Sequence, residues 1–556
     1  MKIMKMKTSL LHLPGVILIY ALPGIMSEDN SAITSTDNYD NSKPDLRAVQ
    51  SFEGNLRHSV GLEAVDPIAS HANNKKGGHS STWLIDQVMA SDNLAQYLSA
   101  EKLCEAVDVS GGCVPKKSMK YTNTVRSLAN AGPSVECNGI LGEFSSSELK
   151  KIFTDLVDTL PLPFVTKFFI KIYIGSSVKY GVRGMKICSS CESFAGKWNH
   201  NNGGSDYCGE DAYGYNTVVS SAVYYPIDDK TNKIATGNFK GAFLNRPTKF
   251  NDFDVPSEQA LGSEFDSYIG LIASSIGSIT ILPDFLGFGE SYKNKKAYIV
   301  KQSYKTASIP LWLEVNKHVA AMNTQTRLSN EFFVAGYSEG GYASVVIGEA
   351  LHQMGVKLGF VHASGGPYQI GKTEVAISLA ELMEKKSPSK KLHMLAMFGT
   401  VFSSTVPNVS NYGEGQDALE TEDRSRRAAI IKRQVNRGTI SQQIMSHTVF
   451  WRSLNLDLRR YATRLVRNGT LDKFCQRAPR SLKKLCRAVM EQDVDDTIRS
   501  VSEYDLVLCH SKDDEIINIG NIPTNLPERV KVKVVTGLHT EAAILCFIDV
   551  FETLLL

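Results

Sequence analysis

From about residue 215 the apolar positions fall into short runs set between longer stretches of helical spacing. Thr217-Val-Val-Ser-Ser-Ala-Val-Tyr-Tyr225 reads as a strand closed by Pro226, and Asn238-Phe-Lys-Gly-Ala-Phe-Leu244 as a second. A helix over Phe265–Ile276 leads to a short buried strand at Ile279–Leu282. Tyr304–Met322 carries one apolar helical face, Phe332–Tyr337 is a strand, Tyr342–Met354 a helix and Leu358–Ala363 another strand. Strands alternating with helices predict an α/β fold, with a mostly parallel sheet covered on both faces.

The alternation stops after about Gln369, and some 130 residues read as mainly helical and basic. It resumes with Tyr504–Cys509 and Val530–Val535, followed by a final apolar helix from Glu541. An excursion between two sheet strands predicts an inserted cap. The expected core is therefore in two parts, 215–369 and 503–556, with a mostly helical basic cap over 370–502. Residues 46–214 form a cysteine-containing N-terminal region of mixed pattern. Within it, Ser145–Asp158 has Leu149, Ile152, Phe153 and Leu156 at helical spacing, and Gly181–Asp211 reads as a Gly/Ser/Asn/Cys-rich stapled loop.

Lys2, Lys5 and Lys7 precede an apolar stretch from Leu10 to Met26. A basic head before a short apolar segment reads as a secretory signal over 1–26, with an uncleaved membrane anchor or a buried helix as the alternatives. A flexible polar segment over 27–45 follows. All ten cysteines lie beyond it, which in a secreted chain predicts disulfides. Cys475 and Cys486 are candidate partners, and Cys188-Ser-Ser-Cys191 has no second pair or thioredoxin-like context to make it a zinc or redox site. Asn408-Val-Ser410 and Asn468-Gly-Thr470 are sequons. With 61 Lys+Arg against 58 Asp+Glu, the net charge of +3 gives no footprint for nucleic acid. Charge is uneven, however: Trp451 to Arg487 holds eleven Lys/Arg and two Asp. That segment is either a solvated face or one attracted to an anionic lipid surface or acidic substrate.

The strand at Phe332 ends in Gly336-Tyr-Ser338-Glu-Gly340-Gly341 and a helix follows at once. Strand, Gly-x-Ser-x-Gly and helix are the order of a nucleophile elbow, in which glycines leave room around a strained turn. A serine hydroxyl needs a base near neutral pKa and a carboxylate to hold the base's far nitrogen. Asp514, on the turn after the Tyr504–Cys509 strand, is the candidate acid, with Asp513 and Glu515 as rivals. His539, between the last strand and last helix, is the candidate base, with His510 and His362 as alternatives. Negative charge built on an attacked carbonyl needs fixed donors. The backbone N–H of Glu339 is one candidate, and the loop Pro283-Asp284-Phe-Leu-Gly287-Phe-Gly289 supplies the second, with Asn245 as a weaker possibility.

These runs, together with the Ala363-Ser-Gly-Gly-Pro367 turn, resemble the secretory lipase family of α/β hydrolases, the group of Candida antarctica lipase A, over about residues 215–556. The resemblance implies an α/β-hydrolase fold with a helical cap. It implies Ser338 as nucleophile, Asp514 as acid, His539 as base, and an oxyanion hole made by Asp284 and the Glu339 amide. Glu339 departs from the small residue often found after the nucleophile and is expected to put charge near the site's mouth.

The expected function is hydrolysis of a carboxylic ester with a hydrophobic acyl group, met at a lipid–water interface. The alternatives are a serine peptidase or amidase on the same fold, or a hydrolase-like binding protein without chemistry. The chemistry calls for neither metal nor organic cofactor.

Overall fold

A computed structural model describes residues 136–159, 164–190, 217–262, 265–294, 296–322, 325–409, 417–421, 424–439, 446–470 and 473–555. The expected signal (1–26), the polar segment (27–45), and Cys104, Cys113, Cys191 and Cys208 lie outside the described residues.

The chain runs β1 (Ile140–Phe144), α1 (Ser146–Thr159), α2 (Phe164–Ser177), β2 (Gly181–Ser190), β3 (Val218–Asp228), β4 (Lys233–Ile234), β5 (Gly237–Asn245), α3 (Phe265–Ser275), β6 (Ser278–Pro283), α4 (Lys301–Met322), β7 (Thr326–Tyr337), α5 (Glu339–Gln353) and β8 (Lys357–Ser364). The inserted helices are α6 (Val375–Met383), α7 (Ser389–Val409), α8 (Arg426–Asn436), α9 (His447–Ser453), α10 (Leu456–Arg467) and α11 (Lys483–Met490). Then come α12 (Asp495–Arg499), β9 (Leu506–Ser511), β10 (Val530–Val535) and α13 (His539–Leu555).

The strands form one sheet in the order β1-β2-β3-β6-β5-β7-β8-β9-β10, with β4 paired to β3. From β6 to β10 neighbours are parallel. From β1 to β6 they are antiparallel. The sheet is thus mixed, which corrects the mostly parallel expectation. Its antiparallel part draws on residues ahead of the boundary expected near 215, since β1 and β2 extend the same sheet. Gly181–Ser190, read as a loop from its small and polar composition, pairs with β3 along its whole length.

Pro226 does not end its strand. Its carbonyl accepts from Ala235 N–H on the β4 side, so its missing N–H faces that side too. There β6 has already stopped pairing at Tyr224, and the only bond lost is the return to the Ala235 carbonyl, which accepts from the Thr326 hydroxyl at 3.0 Å instead.

β7 shows how the sheet is buried on both faces. Phe332 and Val334 join the core formed with α4, α5 and the inserted helices. Phe333, Ala335 and Tyr337 point the other way, into the core under α1, α3 and α13. Disulfides tie Cys137 to Cys188, Cys475 to Cys486 and Cys509 to Cys546. The last pins α13 to β9. Among the described residues no helix is long and apolar enough to cross a membrane.

Candidate active site

Ser338 sits alone between β7 and α5 with φ 58° and ψ −120°. A non-glycine residue at positive φ is strained, and its neighbours show what holds it there. Ser338 N–H donates to the Ser364 carbonyl at 2.8 Å, and the Ser338 carbonyl accepts from Tyr342 N–H. A Cβ on Gly340 would stand 2.1 Å from the Asn245 carbonyl oxygen, and one on Gly336 2.4 Å from the Gly340 carbonyl oxygen. Only glycine lets β5 and the elbow approach this closely.

His539 opens α13, one turn beyond β10. Its Nε2 lies 2.9 Å from Ser338 Oγ and its Nδ1 lies 2.7 Å from Asp514 Oδ2. Asp514 Oδ1 accepts from the amides of Ile516 and Ile517 at 2.9 and 2.8 Å. Burial pushes the Asp514 carboxyl up, but the His539 ring, the His510 ring and the Ile517 amide together hold it below the usual carboxylate range. The other carboxylates of the turn have different partners. Glu515 accepts from the His539 backbone N–H at 2.8 Å, and Asp513 from Gly537 N–H at 3.3 Å. His510 is buried against the Ile517 carbonyl at 2.9 Å, and burial lowers its pKa. His362 is buried between Ser364 Oγ and Asp549 Oδ2, each at 2.9 Å. The structure therefore brings Ser338, His539 and Asp514 into one hydrogen-bonded chain and leaves the rivals outside it.

Glu339 is the first residue of α5, where an amide has no carbonyl a turn earlier to accept its proton. Its side chain corrects the expected charge at the mouth. It is 2 % exposed. Its carboxylate accepts from Arg246 Nη1 at 3.2 Å and from the Tyr304 hydroxyl at 2.8 Å. Asp284 also differs from expectation. Its N–H donates to the Ser220 carbonyl. Its carboxylate accepts from the Ser220 and Ser257 hydroxyls, each at 2.5 Å, and from Ser257 N–H. Burial raises its pKa to about 6 against the pull of those bonds. The group expected to face an oxyanion is thus turned onto internal partners. Its carbonyl instead accepts from Arg246 Nε and Nη2 at 2.9 and 2.6 Å. Asn245 donates to Ser344 Oγ at 3.0 Å.

Arg246 is the residue sequence reading missed. It is 1 % exposed, and its guanidinium stacks on Phe285 and Phe288. Tyr337, whose hydroxyl donates to the His539 carbonyl at 2.5 Å, was read only as a strand residue.

Beside the Asp514 turn, Ile516 and Ile517 join Tyr298, Pro367, Leu395 and Phe398 around a cavity of about 50 Å³. A second apolar cavity, of about 50 Å³, lies among the inserted helices. Val375, Ser378, Leu395 and Phe398 line both. Ser338 is 3 % exposed and His539 4 %, so the site is closed.

A candidate hydrolase from Legionella pneumophila superposes with a TM-score of 0.51 at 17% identity, over 75% of this chain and 96% of that one. A single-residue variant of the rice-cell-wall-degrading esterase LipA from Xanthomonas oryzae gives 0.50 at 13% identity, over 76% and 96%. The fold is α/β-hydrolase-like. Candida antarctica lipase A superposes less closely, with a TM-score of 0.39 at 13% identity over 66% of this chain and 74% of that one. At 17% and 13% identity, the likeness to the Legionella and Xanthomonas proteins reaches the fold alone. No family model and no curated protein sequence matches the chain.

Proposed function

We propose that this protein is a secreted serine carboxylic-ester hydrolase acting on esters with a hydrophobic acyl group. The observation that carries the reading is the unbroken chain Ser338 Oγ, His539, Asp514 at 2.9 and 2.7 Å, hung on a strained turn. Ser338 Oγ attacks the ester carbonyl carbon as His539 Nε2 takes its proton. The oxyanion is held by the Glu339 N–H at the start of α5. Protonated His539 then gives its proton to the leaving oxygen and the alcohol departs. Water, deprotonated by His539, attacks the acyl-enzyme and frees the acid. Asp514 stays ionised throughout and steadies the imidazolium.

The apolar cavities beside the Asp514 turn and within the inserted helices suit an acyl chain. Glu374, the carboxylate lining the nearer cavity, is paired with Lys391 at 3.0 Å, so that wall offers no free anion for a peptide's amino terminus. Because Ser338 is covered, admission of a bulky ester requires the chain over it to move, and helices 370–502 are the cap that does so. Secretion is supported by the disulfides and the basic-then-apolar start of the sequence.

The test is Ser338→Ala. Turnover of p-nitrophenyl esters and labelling by a fluorophosphonate probe should both vanish while the thermal unfolding midpoint holds. Unchanged turnover by the variant, or a wild-type protein that is neither labelled nor active, refutes the reading.

A further inference from the structure

In the fold the basic run lies mainly on two amphipathic helices, α10 and α11, and the connection between them. Between Trp451 and Arg487 the net charge is +9 in a chain whose total is +3, so everything else sums to −6. α10 buries Leu458, Tyr461, Ala462 and Leu465 and exposes Arg460, Arg464 and Arg467. α11 buries Leu485, Cys486, Ala488 and Val489 and exposes Lys483 and Arg487. Leu458 and Leu485 line the same apolar cavity, so both helices turn apolar faces inward and basic faces away from it. Cys475–Cys486 crosslinks the connection between them, which carries exposed Arg477. The one acid of this stretch among the described residues is Asp457, at the start of α10.

We propose that the basic face of α10, bearing Arg460, Arg464 and Arg467, docks the protein on an anionic lipid surface. Charge complementarity selects a polyanion, and the cavity directly behind the two helices selects one that carries acyl chains. That choice rests on the acyl-ester reading above; the binding itself does not. Each Lys or Arg near an anionic bilayer contributes by attraction that falls off within a Debye length, so several cations on one rigid face act together and are screened by salt.

The experiment is sedimentation with vesicles of equal parts phosphatidylcholine and phosphatidylglycerol, against phosphatidylcholine alone. It follows endoglycosidase treatment, because the exposed sequon residue Asn468 abuts Arg467. Wild type should bind only the anionic vesicles and be released by high salt. The triple variant Arg460→Gln, Arg464→Gln, Arg467→Gln should partition roughly a hundredfold more weakly, at about one kcal/mol per cation. A charge-matched control, Lys230→Gln, Lys233→Gln, Lys531→Gln, removes exposed cations elsewhere and should bind as wild type. Equal binding to both vesicle types, equal loss in the control, or retention on heparin without vesicle binding each overturns the proposal. Sedimentation needs no turnover, and Ser338→Ala should bind normally. An inactive protein that docks refutes the hydrolase reading alone, and an active one that does not refutes the docking alone.

Discussion

The Arg246–Glu339 pair bears directly on how the elbow is held, and breaking it on one side has a calculable effect. Both side chains are buried, at 0 % and 2 % exposure, and 3.2 Å apart. Replacing Glu339 by Gln keeps size and one acceptor but removes the charge facing Arg246 and weakens the bond from Tyr304. Losing one partner of a buried pair costs about 3–5 kcal/mol, because the other charge is left uncompensated. Arg246→Met should cost as much, since it also strips two donors from the Asp284 carbonyl. Removing both charges together relieves the main penalty. The double variant should therefore be more stable than the two single losses predict, by about 2–3 kcal/mol of coupling. Urea unfolding of the four proteins measures this. Turnover of a soluble ester should fall about tenfold to a hundredfold in Glu339→Gln, because small displacements of an attacking group are amplified in rate. The reasoning fails if Glu339→Gln lies within about 0.5 kcal/mol of wild type or if the single effects simply add.

Asp514→Asn should keep the fold and reduce ester turnover by about 10⁴-fold, by favouring the wrong tautomer of His539; rate against thermal stability checks it. Gly340→Ala should yield an inactive, destabilised protein, because its Cβ would meet the Asn245 carbonyl oxygen at 2.1 Å; expression and circular dichroism report it. Burial raises Asp284 from an ordinary 3.8 to about 6, so the folded state holds a proton there that the unfolded state has lost. Its contribution to stability is therefore greatest near pH 4 and declines as pH rises to 6, by about 3 kcal/mol in all. Asp284→Asn should flatten the unfolding free energy over that window. Asp549→Ala leaves buried His362 Nε2 without its carboxylate and should cost about 1–3 kcal/mol in urea unfolding.

The residues most legible in the sequence are those that end a strand. Ser338, Asp514 and His539 each follow a short apolar run and precede a turn or helix, and that placement survives whatever the rest of the chain does. Choosing Asp514 over Asp513 and Glu515 was harder, because all three share the turn. The Ile516 and Ile517 amides decide it by gathering on one carboxylate. Arg246 left no signal. Arginine is among the types least often buried, and its distant acceptors lie 38 and 93 residues along the chain, on the loop after β6 and at the start of α5. Asp284 follows β6 on the loop that carries the motif, but the motif does not say which way a carboxyl turns. Ser220 and Ser257, which capture it, carry no pattern of their own. β2 is obscure for a related reason: its Val182, Met185 and Ile187 are spaced among Gly, Arg, Lys and Ser, and the ladder to β3 that holds the strand is invisible in a single segment.

A covered serine and a relay already in register belong together once it is clear what braces each part. Ser338 is held by Ser364, an end residue of β8, and by the glycine contacts with β5. His539 is held by the Tyr337 hydroxyl and the Glu515 carboxylate, and its helix is locked to the sheet by Cys509–Cys546 and by Asp549 on His362. None of these partners lies in the inserted helices. The segment that opens the insertion reaches the turn bearing Asp514 through Glu374, which accepts from Asn518 N–H at 3.3 Å and from the Asn521 side chain. The insertion also meets the core at Tyr342, whose hydroxyl donates to the Gln492 carbonyl at 2.6 Å, while Asp514 keeps the Ile516 and Ile517 amides of its own turn. The bonds that orient His539 and Asp514 are thus made within the sheet core and the loops that follow its strands, not with the inserted helices.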